Sequence, residues 1–126
     1  MTVTVRQISS REELGDVFDL LGAQFEPPFD RSDGRRFDDL EHAFPAQGAM
    51  LLVAEHDGAP VGGALGFKTG ETAATLRVLA VVEAYRRQGI GRPLLRAFEG
   101  GARRLGVERV SLGADEEAGF YVRHGY

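Results

Sequence analysis

Residues 79–95 constrain the fold of this chain more than any other stretch of its sequence. An apolar segment typical of a β-strand leads into a turn rich in arginine and glycine, and the turn leads into a helix with Pro93 near its start. The turn contains Arg86, Arg87, Gly89, Gly91 and Arg92. Glycine lets the backbone approach a ligand without a Cβ atom, and the first turn of a helix leaves N–H groups unpaired. Because the helix dipole and the arginines add positive charge, we predict that this turn binds an anion such as a pyrophosphate.

The length and composition limit the classes of protein to which the chain can belong. At 126 residues it is large enough for one hydrophobic core, and we expect a single domain spanning residues 1–126. A net charge of −4 gives no general attraction to nucleic acid or to anionic membranes, so we expect neither as a partner. No apolar run approaches the roughly 18 residues that cross a bilayer, and the N-terminus lacks a signal-peptide pattern, so we expect a cytoplasmic protein. There is no cysteine, and the three histidines lack the spacing of metal ligands, so we expect no metal.

Hydrophobic periodicity predicts a mixed arrangement of strands and helices. The predicted strands are residues 2–8, 50–56, 61–67, 72–82 and 107–113. The predicted helices begin after Ser10, near Ser32 or Asp33, and beside Pro93, with a last helix at residues 115–124. Three successive strands indicate an antiparallel meander, whereas the strand–helix–strand passage through the turn indicates one parallel pair.

Several nucleotide-binding designs use a glycine-rich turn. A Walker A loop is excluded because it needs Gly-Lys-Ser/Thr at its end, and here Gly91 is followed by Arg92-Pro93. A dinucleotide-binding fingerprint would start almost directly after the strand and would have a third glycine where Leu94 stands. Asp115 lies at a tolerable distance for a carboxylate that binds a ribose, so the dinucleotide hypothesis stays open at this point.

Two longer motifs resemble those of the GNAT superfamily of N-acetyltransferases, and the resemblance covers essentially the whole chain. Arg86-x-x-Gly89-x-Gly91, preceded by an apolar strand, resembles motif A of that family. Phe120-Tyr121-x-x-x-Gly125-Tyr126 resembles motif B. The resemblance implies a central mixed, mostly antiparallel sheet flanked by helices, with one parallel β-α-β crossover around the cofactor site.

The resemblance also implies acetyl-CoA as the acyl donor, with its pyrophosphate bound by backbone N–H groups of the turn. The pantetheine arm would pair with the strand before the turn, in a gap between the fourth and fifth strands. The implied donor-binding residues are Leu79, Ala80, Val81, Arg86, Arg87, Gln88, Gly89, Ile90, Gly91 and Arg92.

The catalytic groups follow in part from the chemistry. Without cysteine, and with no nucleophile-elbow pattern around Ser111, direct attack of an amine on the thioester in a ternary complex is the simplest route. Tyr121 matches the motif B tyrosine that acts as the acid toward the leaving thiolate in many family members. Some members have a glutamate as the base at the position of Thr75, so this assignment is lost here. Glu83 is the candidate base that we retain, and deprotonation through water stays open.

The acceptor is expected to be a small-molecule amine or a protein amino group. Its predicted binding residues lie in the loop between the first two helices, namely Phe25, Glu26, Phe29 and Asp30, of which Glu26 and Asp30 are further candidates for the base. These aromatic side chains have an equally plausible role in covering the core. The alternative function is a catalytically weak CoA-binding domain with a regulatory or interaction role.

The end of the sequence departs from the family pattern. Gly125-Tyr126 would open a further strand in typical members, so we expect the final strands to be missing. The strand at residues 107–113 would then have an open edge, and such an edge pairs readily with another chain. We therefore expect either a homodimer through this strand or its coverage by the last helix and a partner's surface.

Overall fold

The structure is a computed structural model that describes residues 2–44, 46 and 50–112. Its strands are β1 (Thr4–Gln7), β2 (Leu51–His56), β3 (Ala59–Lys68), β4 (Ala73–Val81) and β5 (Arg109–Leu112). Its helices are α1 (Arg11–Gly22), α2 (Arg35–Ala43) and α3 (Gly91–Arg104), with short 3₁₀ turns at Arg31–Asp33 and Glu83–Tyr85. Each strand and helix predicted within these residues is present, with ends shifted by a few residues.

The five strands form one sheet in the order β1-β2-β3-β4-β5. Neighbours from β1 to β4 pair antiparallel, whereas β5 pairs parallel to β4, with Ala73 opposite Arg109 and Leu76 opposite Leu112. Because α3 connects the parallel pair, the chain contains one β-α-β crossover. This confirms the predicted mixed, mostly antiparallel sheet.

Two hydrophobic clusters cover the two faces of the sheet. One includes Leu94 of α3 together with Leu79 and Val81 of β4. The other includes Phe18 of α1 together with Val78 of β4. Since side chains alternate along a strand, β4 contributes to both clusters and is fixed from both sides. Its C-terminal end is therefore a rigid base for the loop that follows.

β4 contains a β-bulge at Arg77. Leu65 of β3 pairs with Val78 and Gly66 pairs with Leu76, so Arg77 is an extra residue between them. Beyond Leu76, no pairing of β4 with β5 occurs among the residues that the structure describes. The part of β4 after the bulge therefore pairs with β3 alone in this portion of the chain.

α2 begins later than predicted because Gly34 interrupts the helical path. Its φ of 28° lies in the region that favours glycine, and it separates the 3₁₀ turn at Arg31–Asp33 from α2. The helix therefore starts at Arg35 rather than at Ser32 or Asp33.

Some predictions fall outside the described residues or are not tested by the fold. The last predicted helix at residues 115–124 and the whole of motif B, Tyr121 included, lie outside them. Within the described residues β5 is at the edge of the sheet with Val110 exposed, and its pairing with a second copy stays a prediction. The single-domain organisation and the cytoplasmic location also stay predictions. Across residues 2–44 and 50–112, none of the helices has the length and hydropathy needed to span a bilayer.

Candidate functional site

An open cavity of about 470 Å³ lies at the C-terminal end of β4. Three pieces of chain form it, namely the end of β4, the loop after it, and the first two turns of α3. The lining residues are Val81, Tyr85, Arg86, Arg87, Gly89, Ile90, Gly91, Arg92, Pro93 and Arg96. Most of the residues predicted to bind the donor therefore surround one cavity. Leu79 and Ala80 lie just below it on β4 and are buried in the core.

Arg86 holds the loop against the end of β4. Its Nε donates a hydrogen bond to the carbonyl oxygen of Val81 at 3.0 Å, and its Nη2 donates to the carbonyl oxygen of Gln24 at 3.4 Å. The Gln24 side chain also accepts a hydrogen bond from the backbone N–H of Glu83 at 3.1 Å. Arg86 therefore carries positive charge at the cavity, but its main contacts position the loop relative to β4 and the end of α1.

The backbone of the loop turns so that its N–H groups stay unpaired. Arg87 has a φ of 65° and Gly89 has a φ of 78°, both in the left-handed region. The N–H groups of residues 87–92 have no hydrogen-bond acceptor among residues 2–44, 46 and 50–112. Unpaired N–H groups at the start of a helix, together with the positive end of its dipole, form a binding site for an anion.

Gly91 leaves space in the cavity that a side chain would fill. A Cβ atom built on Gly91 meets nothing within 4 Å, and the backbone φ of this residue is not in the left-handed region. The fold itself therefore does not require glycine there. Since Gly91 lines the cavity, the missing side chain keeps room for a ligand beside the unpaired N–H groups. The residues present fit a pyrophosphate group in this position.

The charges around the cavity are positive and unpaired. Arg87, Arg92 and Arg96 are exposed, and none forms an ion pair within the described part of the chain. α3 has no acidic residue in its first turn and no side chain that caps its N-terminus. Sequence reasoning missed Arg96, although its place one turn after Arg92 on the predicted helix was a usable signal. It also missed Tyr85 and Gln24, whose contacts join distant parts of the chain.

The predicted acceptor residues lie between α1 and α2, and none of them lines the cavity. The rings of Phe25 and Phe29 are 5.2 Å apart, and Phe29 also packs against Phe18 in the core at 5.3 Å. Both rings are partly buried, so they do cover the core. Asp30 caps the 3₁₀ turn that follows, and hydrogen bonds from the hydroxyl and N–H of Ser32 lower its pKa. Glu26 is exposed. Their role toward an acceptor stays a prediction.

The described residues say little about the predicted acid, Tyr121, and the predicted base, Glu83. Glu83 is exposed, and its carboxylate has no hydrogen-bond partner in the described residues. Thr75 is 7% exposed and its hydroxyl lies 3.4 Å from the carbonyl oxygen of Ser111 on β5. Among the residues described, no group of three or more histidine, aspartate or glutamate side chains is arranged to hold a metal ion. The roles of Tyr121 and Glu83 stay predictions.

Comparisons with known proteins agree with this geometry. Residues 14–126 match the family model described as the Acetyltransferase (GNAT) family. A Bacillus subtilis (strain 168) protein provisionally named an acetyltransferase is 26% identical over 125 residues, which cover 98% of this chain and 83% of the relative. Ard1 from Thermoplasma volcanium is 26% identical, with a TM-score of 0.75 over 99% of this chain and 82% of that chain. An acetyltransferase of the GNAT family from Staphylococcus aureus Mu50 is 20% identical, with a TM-score of 0.76 over 98% and 84% of the two chains. At that identity, the last likeness shows the fold alone.

Proposed function

We propose that this chain, which belongs to the GNAT family of acetyltransferases, transfers an acetyl group from acetyl-CoA to a primary amine of a small molecule or a protein. The observation that carries this proposal is the run of N–H groups at residues 87–92 beside a cavity. Within residues 2–44, 46 and 50–112 these groups have no acceptor, and three arginines at the cavity form no ion pair. Such a site suits the pyrophosphate of acetyl-CoA, the donor that the family uses.

The donor would be held by backbone more than by side chains. The N–H groups of residues 87–92 would donate to the pyrophosphate, while Arg86 keeps the loop in place through Val81 and Gln24. The part of β4 after the bulge has no β5 partner among the described residues, so its backbone groups on that side are free to pair with the pantetheine arm. Ile90 and Leu94 are buried below the loop and support its shape.

The proposed reaction needs no covalent enzyme intermediate. The amine nitrogen attacks the thioester carbonyl carbon, a C–N bond forms, and the C–S bond breaks. The attacking nitrogen loses a proton to a base, and the leaving thiolate gains one from an acid. We assign the acid to Tyr121, since a phenol with an ordinary pKa near 10 matches that of a thiol. Glu83 or a water molecule serves as the base, because Thr75 carries no carboxylate.

A thiol-release assay with a panel of amines tests the proposed function. Purified chain with acetyl-CoA and a reactive amine should release free thiol at a rate that depends on both, and mass spectrometry should show the amine gaining one acetyl group. The variant Gly89→Val should lose the activity, because its φ of 78° is strained for a β-branched residue and the loop must change shape. Binding of CoA would favour the regulatory alternative if acetyl-CoA released no thiol with any amine or protein tested as acceptor. Undiminished turnover in Gly89→Val would show that the donor binds elsewhere.

A further inference from the structure

The cavity has more positive charge than a pyrophosphate requires. Arg87, Arg92 and Arg96 are exposed and unpaired in the described part of the chain, in addition to Arg86, which is held by Val81 and Gln24. A pyrophosphate diester carries one negative charge on each phosphorus, and the backbone N–H groups of the loop already suit it. At least one arginine is therefore available for a further anionic group of the same ligand.

Arg96 is the arginine placed for that second group. It stands four residues after Arg92, and side chains four apart are neighbours on one face of a helix. Both line the cavity, but Arg96 is one turn, about 5.4 Å, further from the N–H groups that start the helix. Two like charges at this spacing destabilise a helix slightly, and α3 has no acidic residue in its first turn to offset them. An anion between the two guanidinium groups would relieve this repulsion.

We propose that Arg96 is a specificity residue for the acyl donor and that its guanidinium binds the 3′-phosphate on the ribose of acetyl-CoA. This proposal rests on the donor site described under the proposed function. The 3′-phosphate carries up to two negative charges and distinguishes CoA from dephospho-CoA, from ADP and from nicotinamide dinucleotides. Arginine suits it because the planar fork of N–H donors matches phosphate oxygens. The site therefore selects donors that carry this phosphate.

Calorimetric binding of CoA and dephospho-CoA, with no acceptor present, tests the proposal. At low ionic strength we expect wild-type protein to prefer CoA by about 5- to 10-fold, which is the order expected for a charged hydrogen bond at an exposed site. In Arg96→Ala this preference should fall to less than about twofold, with the loss confined to CoA. Arg96→Lys should restore part of it, since the charge remains but the fork does not. The preference should also shrink at about 0.5 M salt.

Arg104→Ala is the matched control. Arg104 is also exposed on α3 and its loss removes the same charge, but it lies two turns further along and does not line the cavity. It should leave the preference unchanged. Equal affinity of wild-type protein for the two ligands, or an equal loss for both ligands in Arg96→Ala, would overturn the assignment while leaving the donor site intact. Failure of both ligands to bind wild-type protein would overturn the donor site itself, and the assignment with it.

Discussion

The starts of α1 and α3 differ in how the chain provides for the N–H groups and the positive dipole end of a helix N-terminus. At α1, the Ser10 hydroxyl accepts a hydrogen bond from the N–H of Glu13 at 3.0 Å, and Glu12 and Glu13 place negative charge at the positive end of the dipole. The Glu13 carboxylate in turn accepts from the N–H of Ser9 at 2.8 Å and binds Arg6. The start of α1 therefore has a side-chain cap and negative charge of its own.

At α3 each of these features is missing. Ile90 precedes the helix and offers no side-chain cap, the first turn has no acidic residue, and Arg92 adds charge of the unfavourable sign. The N–H groups of residues 87–92 stay unpaired in the described part of the chain. A cap contributes about 1 kcal/mol and a favourable charge at a helix end 0.3–1 kcal/mol, so this arrangement costs stability. The difference is the one expected if the anion of the proposed donor completes the start of α3.

Reversing a charge at the start of α3 should have the largest effect. Arg92→Glu replaces attraction for the pyrophosphate by repulsion, so CoA affinity should fall by about 30- to 100-fold, or 2–3 kcal/mol. The same change places a carboxylate in the first turn, so the free protein should gain about 0.3–1 kcal/mol of unfolding free energy. Calorimetry and urea denaturation measure the two quantities, which should change in opposite directions.

Arg104→Glu is the control for that reversal, because it changes the same charge at the other end of α3. Basic residues are favourable in the last turn, so this variant should lose stability and keep nearly all of its CoA affinity. If Arg92→Glu bound CoA as tightly as wild type, the start of α3 would not be the anion site.

Adding one methyl group at either of two glycines in α3 should distinguish an effect on CoA affinity from an effect on stability. Gly91→Ala and Gly100→Ala each add a Cβ atom to α3, and neither atom meets anything closer than 3.8 Å. Both variants should fold, and Gly100→Ala should gain about 0.5–1 kcal/mol because glycine is unfavourable inside a helix. Only Gly91→Ala should weaken CoA binding, by about tenfold, since its Cβ enters the cavity. Equal CoA affinities in calorimetry would show that no ligand lies against Gly91.

The sequence was sufficient for features that depend on near neighbours. The cap at Ser10, the meander of β2 to β4 and the glycine-rich turn before α3 follow from short-range patterns, and the structure shows all three. One hydrogen bond differs from the predicted capping box. The Glu13 carboxylate would there accept from the N–H of the cap residue Ser10, but it accepts from the N–H of Ser9.

Features that join distant segments could not be read in this way. The sequence predicts Arg86 as one more charge for the anion and gives no sign of its second role. Its guanidinium binds Val81 and Gln24, and Gln24 is 62 residues away. The direction of a long side chain depends on such packing and not on its own neighbours in sequence. For the same reason, the sequence left open whether Phe29 covers the core or contacts an acceptor. The structure shows that Phe29 packs on Phe18, and its role toward an acceptor stays a prediction.

The smallest effect is expected at α1, where the acidic side chains act on the fold alone. Glu13 has its pKa lowered to about 2, chiefly by the hydrogen bond from Arg6 and further by those from Ser9. A carboxyl group with a lowered pKa stabilises the fold above its ordinary pKa of 4.5, and this contribution disappears as pH falls toward 2. Glu13→Gln should therefore cost about 1 kcal/mol at pH 7, because Arg6 is partly exposed and the ion pair is screened by solvent. Urea denaturation between pH 7 and pH 2 measures this cost.

The pH dependence distinguishes an ion pair from a simple loss of packing at Glu13. The stability difference between wild type and Glu13→Gln should be constant above pH 5 and should shrink between about pH 4.5 and pH 2. Glu12→Gln serves as the control, since Glu12 is exposed, forms no ion pair with the described residues and should cost only a few tenths of a kcal/mol. A difference that did not depend on pH would assign the role of Glu13 to packing. Neither variant should alter CoA affinity, because no residue of α1 lines the cavity at the end of β4. A loss of affinity in Glu13→Gln would mean that the two helix starts are coupled, and it would remove the contrast between them.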